Sequence, residues 1–336
     1  MSLQPVSRVA VLGAGSWGTA LAAQLARNGL QVSLWGRDAE QLARVSQERE
    51  NKRYLPGISL PDALQTEPDL GRCLSASDAV LIVTPCGVFT PMLEAIAVHA
   101  PGRPVLWACK GLDKASGELL HVRAEQVLAS GTPTAIVSGP TFAAEVARDL
   151  PAALTAASFD EATAKRVASW FHGGSMRVYS STDMIGVQLA GALKNVLAVA
   201  AGISDGLKFG ANARAAMVTR GLVELTRLGV ALGGQRETFM GLAGLGDLIL
   251  TCTDDQSRNR RFGLALARGL TAEEAIAEIG QVVEGASTTK LALELARRHA
   301  VETPIVEQVY SVLYEGLSPQ QAVQALMARE ARAEVE

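Results

Sequence analysis

The sequence predicts an α/β protein: a doubly wound, mostly parallel sheet over residues 1–181, followed by an all-helical part over residues 182–336. Three observations carry this. Short β-branched runs alternate with amphipathic helical stretches through the first half, the rhythm of βαβ units. A glycine-rich turn joins the first strand to the first helix. Beyond about Ser180 the β-branched runs give way to long Ala/Leu/Gly-rich helical periodicity.

The strands of the first half are Val9-Ala10-Val11-Leu12, Val32-Ser33-Leu34-Trp35, Val80-Leu81-Ile82-Val83, Val105-Leu106-Trp107-Ala108 and Ala135-Ile136-Val137. Between them, residues 19–28 and 117–128 read as helices that end at Gly29 and near Gly131, glycine being the usual residue just past a helix end. Two further strands, residues 153–156 and 177–179, flank a helix at 161–171. In the second half, helices are predicted over 183–201, 211–232, 260–268, 272–279, 287–299 and 304–315. No Pro/Gly/Ser-rich linker separates the halves, so they are expected to pack together with a cleft between them. The charged stretch from Arg329 reads as a frayed terminal helix.

At about 150 residues per domain, 336 residues suit two domains. Lys and Arg number 31 against 34 Asp and Glu, a net charge of −3, which leaves no basic footprint for nucleic acid. With 48% apolar and 19% charged residues the chain is not a disordered one, and small molecules are its expected partners. Cys73, Cys86, Cys109 and Cys252 form no C-x-x-C pair, as expected of a reduced, cytoplasmic protein. His99, His121, His172 and His299 lack metal-ligand spacing, so no metal site is expected. Residues 1–8 lack the pattern of a signal peptide, and no apolar run reaches the roughly 18 residues of a membrane helix. The longest, residues 187–202, is interrupted by Lys194 and Asn195.

Chemistry is concentrated in a few places. Gly13-Ala14-Gly15-Ser16-Trp17-Gly18 follows a strand and opens a helix, the context in which G-x-G-x-x-G binds a dinucleotide pyrophosphate. Gly36-Arg37-Asp38 closes the second strand, where Arg37 can pair with a 2′-phosphate or stack on adenine, so both NADP(H) and NAD(H) stay open; a solvated turn residue is the alternative. Lys194 sits in a helix apolar on nearly every side. A buried ammonium lowers its pKa or finds partners, and such an amine suits proton delivery to a carbonyl oxygen during hydride transfer. Gly191, one turn earlier, would let a ligand reach the amine; snorkelling to solvent is the alternative.

Lys110 follows the strand Val105 to Cys109 and precedes Gly111, at the edge of the sheet where ligands bind, able to position substrate or share its charge with Lys194, with a surface turn as the equal alternative. Gly139 and Thr141, in Ser138-Gly139-Pro140-Thr141-Phe142, stand at the end of the next strand, either as ligand contacts or as an ordinary turn. Asp247 follows a glycine-rich run, placed to accept from a substrate hydroxyl. Ser257-Arg258-Asn259-Arg260-Arg261 then precedes an apolar helix. Arginines at a helix start oppose its dipole, so an anion site, most economically for phosphate, fits better than a purely stabilising role, with a solvated basic turn as the alternative. Val282-Val283-Glu284-Gly285, before a helix starting near Ser287, is placed to close over a cofactor.

Taken in order, Gly13 to Ala20, Ala108-Cys109-Lys110-Gly111-Leu112, Ser138 to Ala143, Val187 to Val196, Ala243-Gly244-Leu245-Gly246-Asp247-Leu248 and Cys252 to Asn259 closely resemble the bacterial-type NAD(P)-dependent sn-glycerol-3-phosphate dehydrogenases, a likeness running to about Tyr314. The resemblance implies reversible reduction of dihydroxyacetone phosphate to sn-glycerol 3-phosphate for glycerophospholipid synthesis. It also implies a Rossmann-type N-terminal domain, a helical domain like the C-terminal one of 6-phosphogluconate dehydrogenase, and a homodimer. By the same resemblance, Lys194 is the proton donor and acceptor and Lys110 touches cofactor and substrate. Ser16, Trp17, Arg37, Ala143, Val282 and Glu284 become cofactor contacts, and Gly139, Thr141, Asp247, Ser257, Arg258 and Asn259 substrate contacts, Arg258 reaching both. Two rivals share the plan: a related β-hydroxyacid or opine-type dehydrogenase, and a non-catalytic NAD(P)H sensor, which would not need Lys194 and Lys110.

Overall fold

The computed structural model describes residues 6–330. One sheet contains β1 (Arg8–Leu12), β2 (Gln31–Trp35), β3 (Leu64–Thr66), β4 (Ala79–Ile82), β5 (Val105–Trp107), β6 (Thr134–Ser138), β7 (Ala152–Ala157) and β8 (Met176–Ser181), in the order β3-β2-β1-β4-β5-β6-β7-β8. Every neighbouring pair is parallel except β6 and β7. The first six strands follow the doubly wound order of dinucleotide-binding sheets, which reverses direction between β1 and β4. Helices cover both faces, and the central strands are accordingly buried through nearly every residue.

The predicted elements of the first half are present. β3 was not predicted, because Leu64, Gln65 and Thr66 offer a single buried apolar residue and no run to detect. The first helix is Ser16–Arg27, and Gly29 beyond it adopts φ +88°. The helix expected from residue 117 starts later, at Leu120, because Gly117 sits in a turn at φ +71°.

In the second half, the helix Met184–Gly206 runs through the middle of the helical core, with Asp183 accepting from the Gly186 N–H at 2.8 Å to cap its start. It spans 23 residues and, by length and hydropathy, is long and apolar enough to cross a membrane, contrary to the expectation from the shorter apolar run. Yet 89% of its most apolar window lies inside the protein, so its all-round hydrophobicity is that of a core helix. Helices Gly210–Ala231, Arg258–Ala267, Glu284–Arg298 and Pro304–Tyr314 pack around it. The closest crossing is with Arg258–Ala267: a Cβ on Gly202 would collide with the Arg260 carbonyl, and one on Gly263 with the Val199 carbonyl. Backbone meets backbone there.

The halves interlock. Met184 and Val187 complete the apolar layer containing Leu12 and Trp107 on one face of the sheet, while Leu112 and Leu119 join the helical core. The expected frayed helix from Arg329 falls mostly on residues 331–336, outside the described residues; Arg329 itself follows the helix Pro319–Met327 and pairs with Glu302 at 3.1 Å.

Candidate active site

The site lies at the carboxyl ends of β1, β4 and β5, where the helical half meets the sheet. At β1, Gly13 adopts φ +125°, and a Cβ on it would lie 2.7 Å from the Val83 carbonyl oxygen just past β4. A Cβ on Gly18 would strike the Gly13 carbonyl, so the outer two glycines answer to packing. Gly15 differs: a Cβ there would meet open space, at the start of a helix with neither a side-chain cap nor an acidic residue in its first turn. An open backbone next to uncapped N–H groups suits a dinucleotide pyrophosphate, and these residues fit the cofactor expected from the sequence. Ser16 opens this helix, Trp17 packs on the N-terminal core with a buried Nε1 that has no hydrogen-bond partner among the described residues, and Ala143 begins the helix Ala143–Ala147 packed alongside. Arg37 is exposed past β2, whereas Asp38 caps the following helix by accepting from the Gln41 N–H at 2.9 Å.

The centre of the site is a carboxylate held between two lysines. Lys194 points inward, which settles the snorkelling alternative: its Nζ donates to Asp247 Oδ1 and, at 2.8 Å, to Thr251 Oγ1. Lys110 Nζ donates to the other oxygen, Asp247 Oδ2, at 2.7 Å and to the Gly139 carbonyl at 3.2 Å. Asp247 is fully buried and Lys194 is 6% exposed. Burial is the main cause that pushes the Lys194 ammonium down to about 7, with the Lys110 charge acting the same way and Asp247 opposing. A cation that loses its proton near neutrality therefore faces a cation-bridging carboxylate.

Gly191 serves a different purpose from the one expected. A Cβ there would lie 3.2 Å from Ser138 Oγ and 3.5 Å from Lys110 Cγ, so its bare face admits the end of β6 and the lysine stem instead of a ligand. Gly139 adopts φ +154° and would place a Cβ 2.9 Å from the Ala153 carbonyl; Thr141 folds its hydroxyl back onto the Gly139 carbonyl at 3.3 Å. Both stand beside Lys110. The glycine-rich run before Asp247 forms a π-helical turn, Leu242–Gly246, that leads directly into the helix Asp247–Thr253.

The arginine cluster divides between two roles. Ser257 caps Arg258–Ala267 by accepting from the Arg260 N–H at 3.2 Å, as expected. Arg260 is buried and bound to Asp205 and Asp255, so it holds the fold and is not available to an anion. Arg258 turns the other way, donating to the Val282 carbonyl at 2.9 Å, and burial lowers its pKa against the opposing charge of Glu284. Glu284 is the first residue of its helix, earlier than the predicted start near Ser287; burial raises its pKa although Lys114 and Arg258 flank it. Arg258, Val282 and Glu284 thus form one wall, which meets the loop after β5 where a Cβ on Gly111 would lie 3.8 Å from Glu284 Oε2.

Asn259 donates from Nδ2 to Asn195 Oδ1 at 2.8 Å, and Asn195 donates to the Lys110 carbonyl at 3.1 Å. Two participants went unassigned in the sequence. Thr251 could have been found from its i+4 spacing to Asp247 on one helix face. Asn195 stood in the quoted motif, but nothing in its surroundings there indicated the partners it has.

Comparison with known proteins gives a consistent result. The family model described as the N-terminus of NAD-dependent glycerol-3-phosphate dehydrogenase matches residues 8–164, and the model for the C-terminus matches residues 183–324. The NAD(P)+ glycerol-3-phosphate dehydrogenase of Thioalkalivibrio sulfidiphilus is 55% identical over 327 residues, covering 97% of this chain and 98% of its own. That of Nitrosococcus oceani is 54% identical over 328 residues, covering 97% and 95%. The crystal structure of glycerol-3-phosphate dehydrogenase from Coxiella burnetii superposes with a TM-score of 0.92 at 47% identity, over 96% of this chain and 99% of that one.

Proposed function

Since the chain belongs to the NAD-dependent glycerol-3-phosphate dehydrogenase family, we propose that it interconverts dihydroxyacetone phosphate and sn-glycerol 3-phosphate with NAD(P)H, supplying glycerophospholipid synthesis. The observation that carries this is Asp247 gripped by Lys194 and Lys110 at the carboxyl ends of the sheet strands. The bound nicotinamide would supply the hydride to C2 of the substrate. Gly13, Gly15, Ser16, Trp17 and Gly18 line its phosphate turn, Arg37 stands toward the adenosine end, and Ala143, Lys110, Arg258, Val282 and Glu284 complete its walls.

Lys194 is the acid. Its ammonium delivers a proton to the carbonyl oxygen in the reduction and recovers it in the oxidation, and a pKa lowered to about 7 suits transfer in both directions near neutral pH. Asp247 and Thr251 orient that nitrogen; Lys110, with Gly139 and Thr141 beside it, positions the substrate and adds positive charge where negative charge develops on oxygen. The phosphate is received at the start of Arg258–Ala267 by the Ser257 hydroxyl, the N–H groups of Arg258 and Asn259 and the Arg258 guanidinium. The domain limits 1–181 and 182–336, supported by the end of β8 at Ser181 and the Asp183 cap, belong to the same proposal, as do a cytoplasmic homodimer and use of either nicotinamide cofactor.

The test is loss of reduced-nicotinamide absorbance on adding dihydroxyacetone phosphate, run with NADH and NADPH in parallel. Turnover with a carboxylate substrate instead, or cofactor binding with no turnover, would replace the proposal with one of its two rivals.

A further inference from the structure

Asn259 has both ends of its side-chain amide engaged within the protein. Its Nδ2 donates to Asn195 Oδ1 at 2.8 Å, and its Oδ1 accepts from the Gly285 N–H at 2.9 Å. The orientations are dictated by the partners, since the Gly285 N–H can only donate and the Lys110 carbonyl, which receives Asn195 Nδ2 at 3.1 Å, can only accept. A continuous chain of hydrogen bonds therefore runs from the main chain of Lys110 through Asn195 and Asn259 to the first turn of the helix Glu284–Arg298. Contact at its far end is tight: a Cβ on Gly285 would lie 2.7 Å from the Asn195 carbonyl oxygen and 2.9 Å from Asn259 Oδ1. That helix start carries Glu284 and is preceded by Val282, whose carbonyl receives Arg258.

We infer that the Asn259 side chain is a positioning group that fastens the cofactor wall formed by Val282 and Glu284 onto the start of its own helix, Arg258–Ala267, through the Gly285 bond, and that it reaches the helix bearing Lys194 and the Lys110 segment through Asn195. This rests on the assignment of those residues to the cofactor and substrate above. Any contact of Asn259 with the substrate phosphate then runs through its main-chain N–H, at the second position of its helix, and leaves the amide for the wall. A side chain that served only the substrate would have no influence on the cofactor before substrate arrives. One that holds the wall does.

The decisive measurement is reduced-cofactor affinity without substrate, by NADPH and NADH fluorescence titration of the full chain. Wild type must bind; if it does not, the cofactor reading itself fails, separately from this inference. Asn259→Ala removes both bonds and should raise the cofactor Kd about tenfold, the equivalent of about 1.4 kcal/mol, with the circular dichroism spectrum unchanged. Asn259→Asp keeps the acceptor for the Gly285 N–H but sets an oxygen against Asn195 Oδ1. It should restore Kd to within about twofold of wild type while kcat at saturating cofactor and dihydroxyacetone phosphate stays several-fold low, because the Asn195–Lys110 link is loosened. A folded Ala variant with wild-type Kd and a raised KM alone would overturn the inference. If the Ala variant does not fold, the Asp variant still decides, since a tenfold weaker Kd there would show that the Gly285 bond is not what matters.

Discussion

Replacing Asp247 by Asn preserves its shape and removes the negative charge between Lys194 and Lys110. In the intact site that charge raises the Lys194 pKa, while burial and Lys110 lower it, with a balance near 7. An opposite charge at this range shifts a pKa by about 1 to 3 units. Taking about 2, Lys194 in Asp247→Asn should titrate near 5. The sign follows from its proposed role: if the protonated amine drives reduction, kcat/KM for dihydroxyacetone phosphate is full below this pKa and falls as pH rises through it. At pH 7 the protonated fraction drops from about one half to about one hundredth, a loss of about 50-fold, whereas at pH 5 the loss from this cause is about twofold. Initial rates at saturating NADPH, followed from pH 5 to 9 for both proteins, measure the displacement; ionisation of the substrate is common to both curves. An equal drop at pH 5 and pH 7, or a midpoint moved toward alkaline pH, would refute the electrostatic account of Lys194.

Lys194→Ala should lose about 10²- to 10⁴-fold in kcat while keeping its cofactor Kd, read by fluorescence titration, because the proton donor is gone and the nucleotide turn is untouched. Arg258→Ala should chiefly raise the KM for dihydroxyacetone phosphate, with a smaller effect on kcat, and an unchanged KM would put the phosphate elsewhere. Gly18→Ala drives a methyl group into the Gly13 carbonyl and should lower the melting temperature sharply and abolish dinucleotide binding together. Glu224 is buried, accepts from the Ile305 N–H at 2.9 and 3.0 Å, and is pushed by burial from 4.5 to about 7. Its folded form therefore holds a proton that the unfolded chain releases, so the contribution is full below about 4.5 and is lost, by about 3 kcal/mol, as pH rises through about 7. In thermal melts at pH 5 and pH 8, Glu224→Gln should show a smaller loss on going to pH 8 than wild type does.

Much of this architecture could be read from the chain because parallel strands buried on both faces appear as uninterrupted apolar runs, as Val80 to Ile82 does, and because three glycines in register mark a nucleotide turn. Lys194 was legible for a related reason: a lysine amid Leu193, Val196 and Leu197 is anomalous wherever it points. Its direction was not legible. That depends on Asp247 and Thr251, 53 and 57 positions away, which helical periodicity near Lys194 does not encode. The same limit separates Arg258 from Arg260, two positions apart in one basic run, since only the fold reveals that Asp205 claims the second. Gly191 invited a ligand on paper and is filled by a strand end in fact.

The contact of Gly202 with Gly263 turns the two helices it joins into a caliper. One jaw holds the Lys194 amine, proposed to meet a carbonyl, the other the turn proposed to receive an anion, and at the crossing itself main chain meets main chain with no side chain to yield. On the proposed assignment such a gauge would resist stretching for a longer sugar phosphate or contracting for a shorter acid, which would put part of the selection by molecular length into the crossing of the helices.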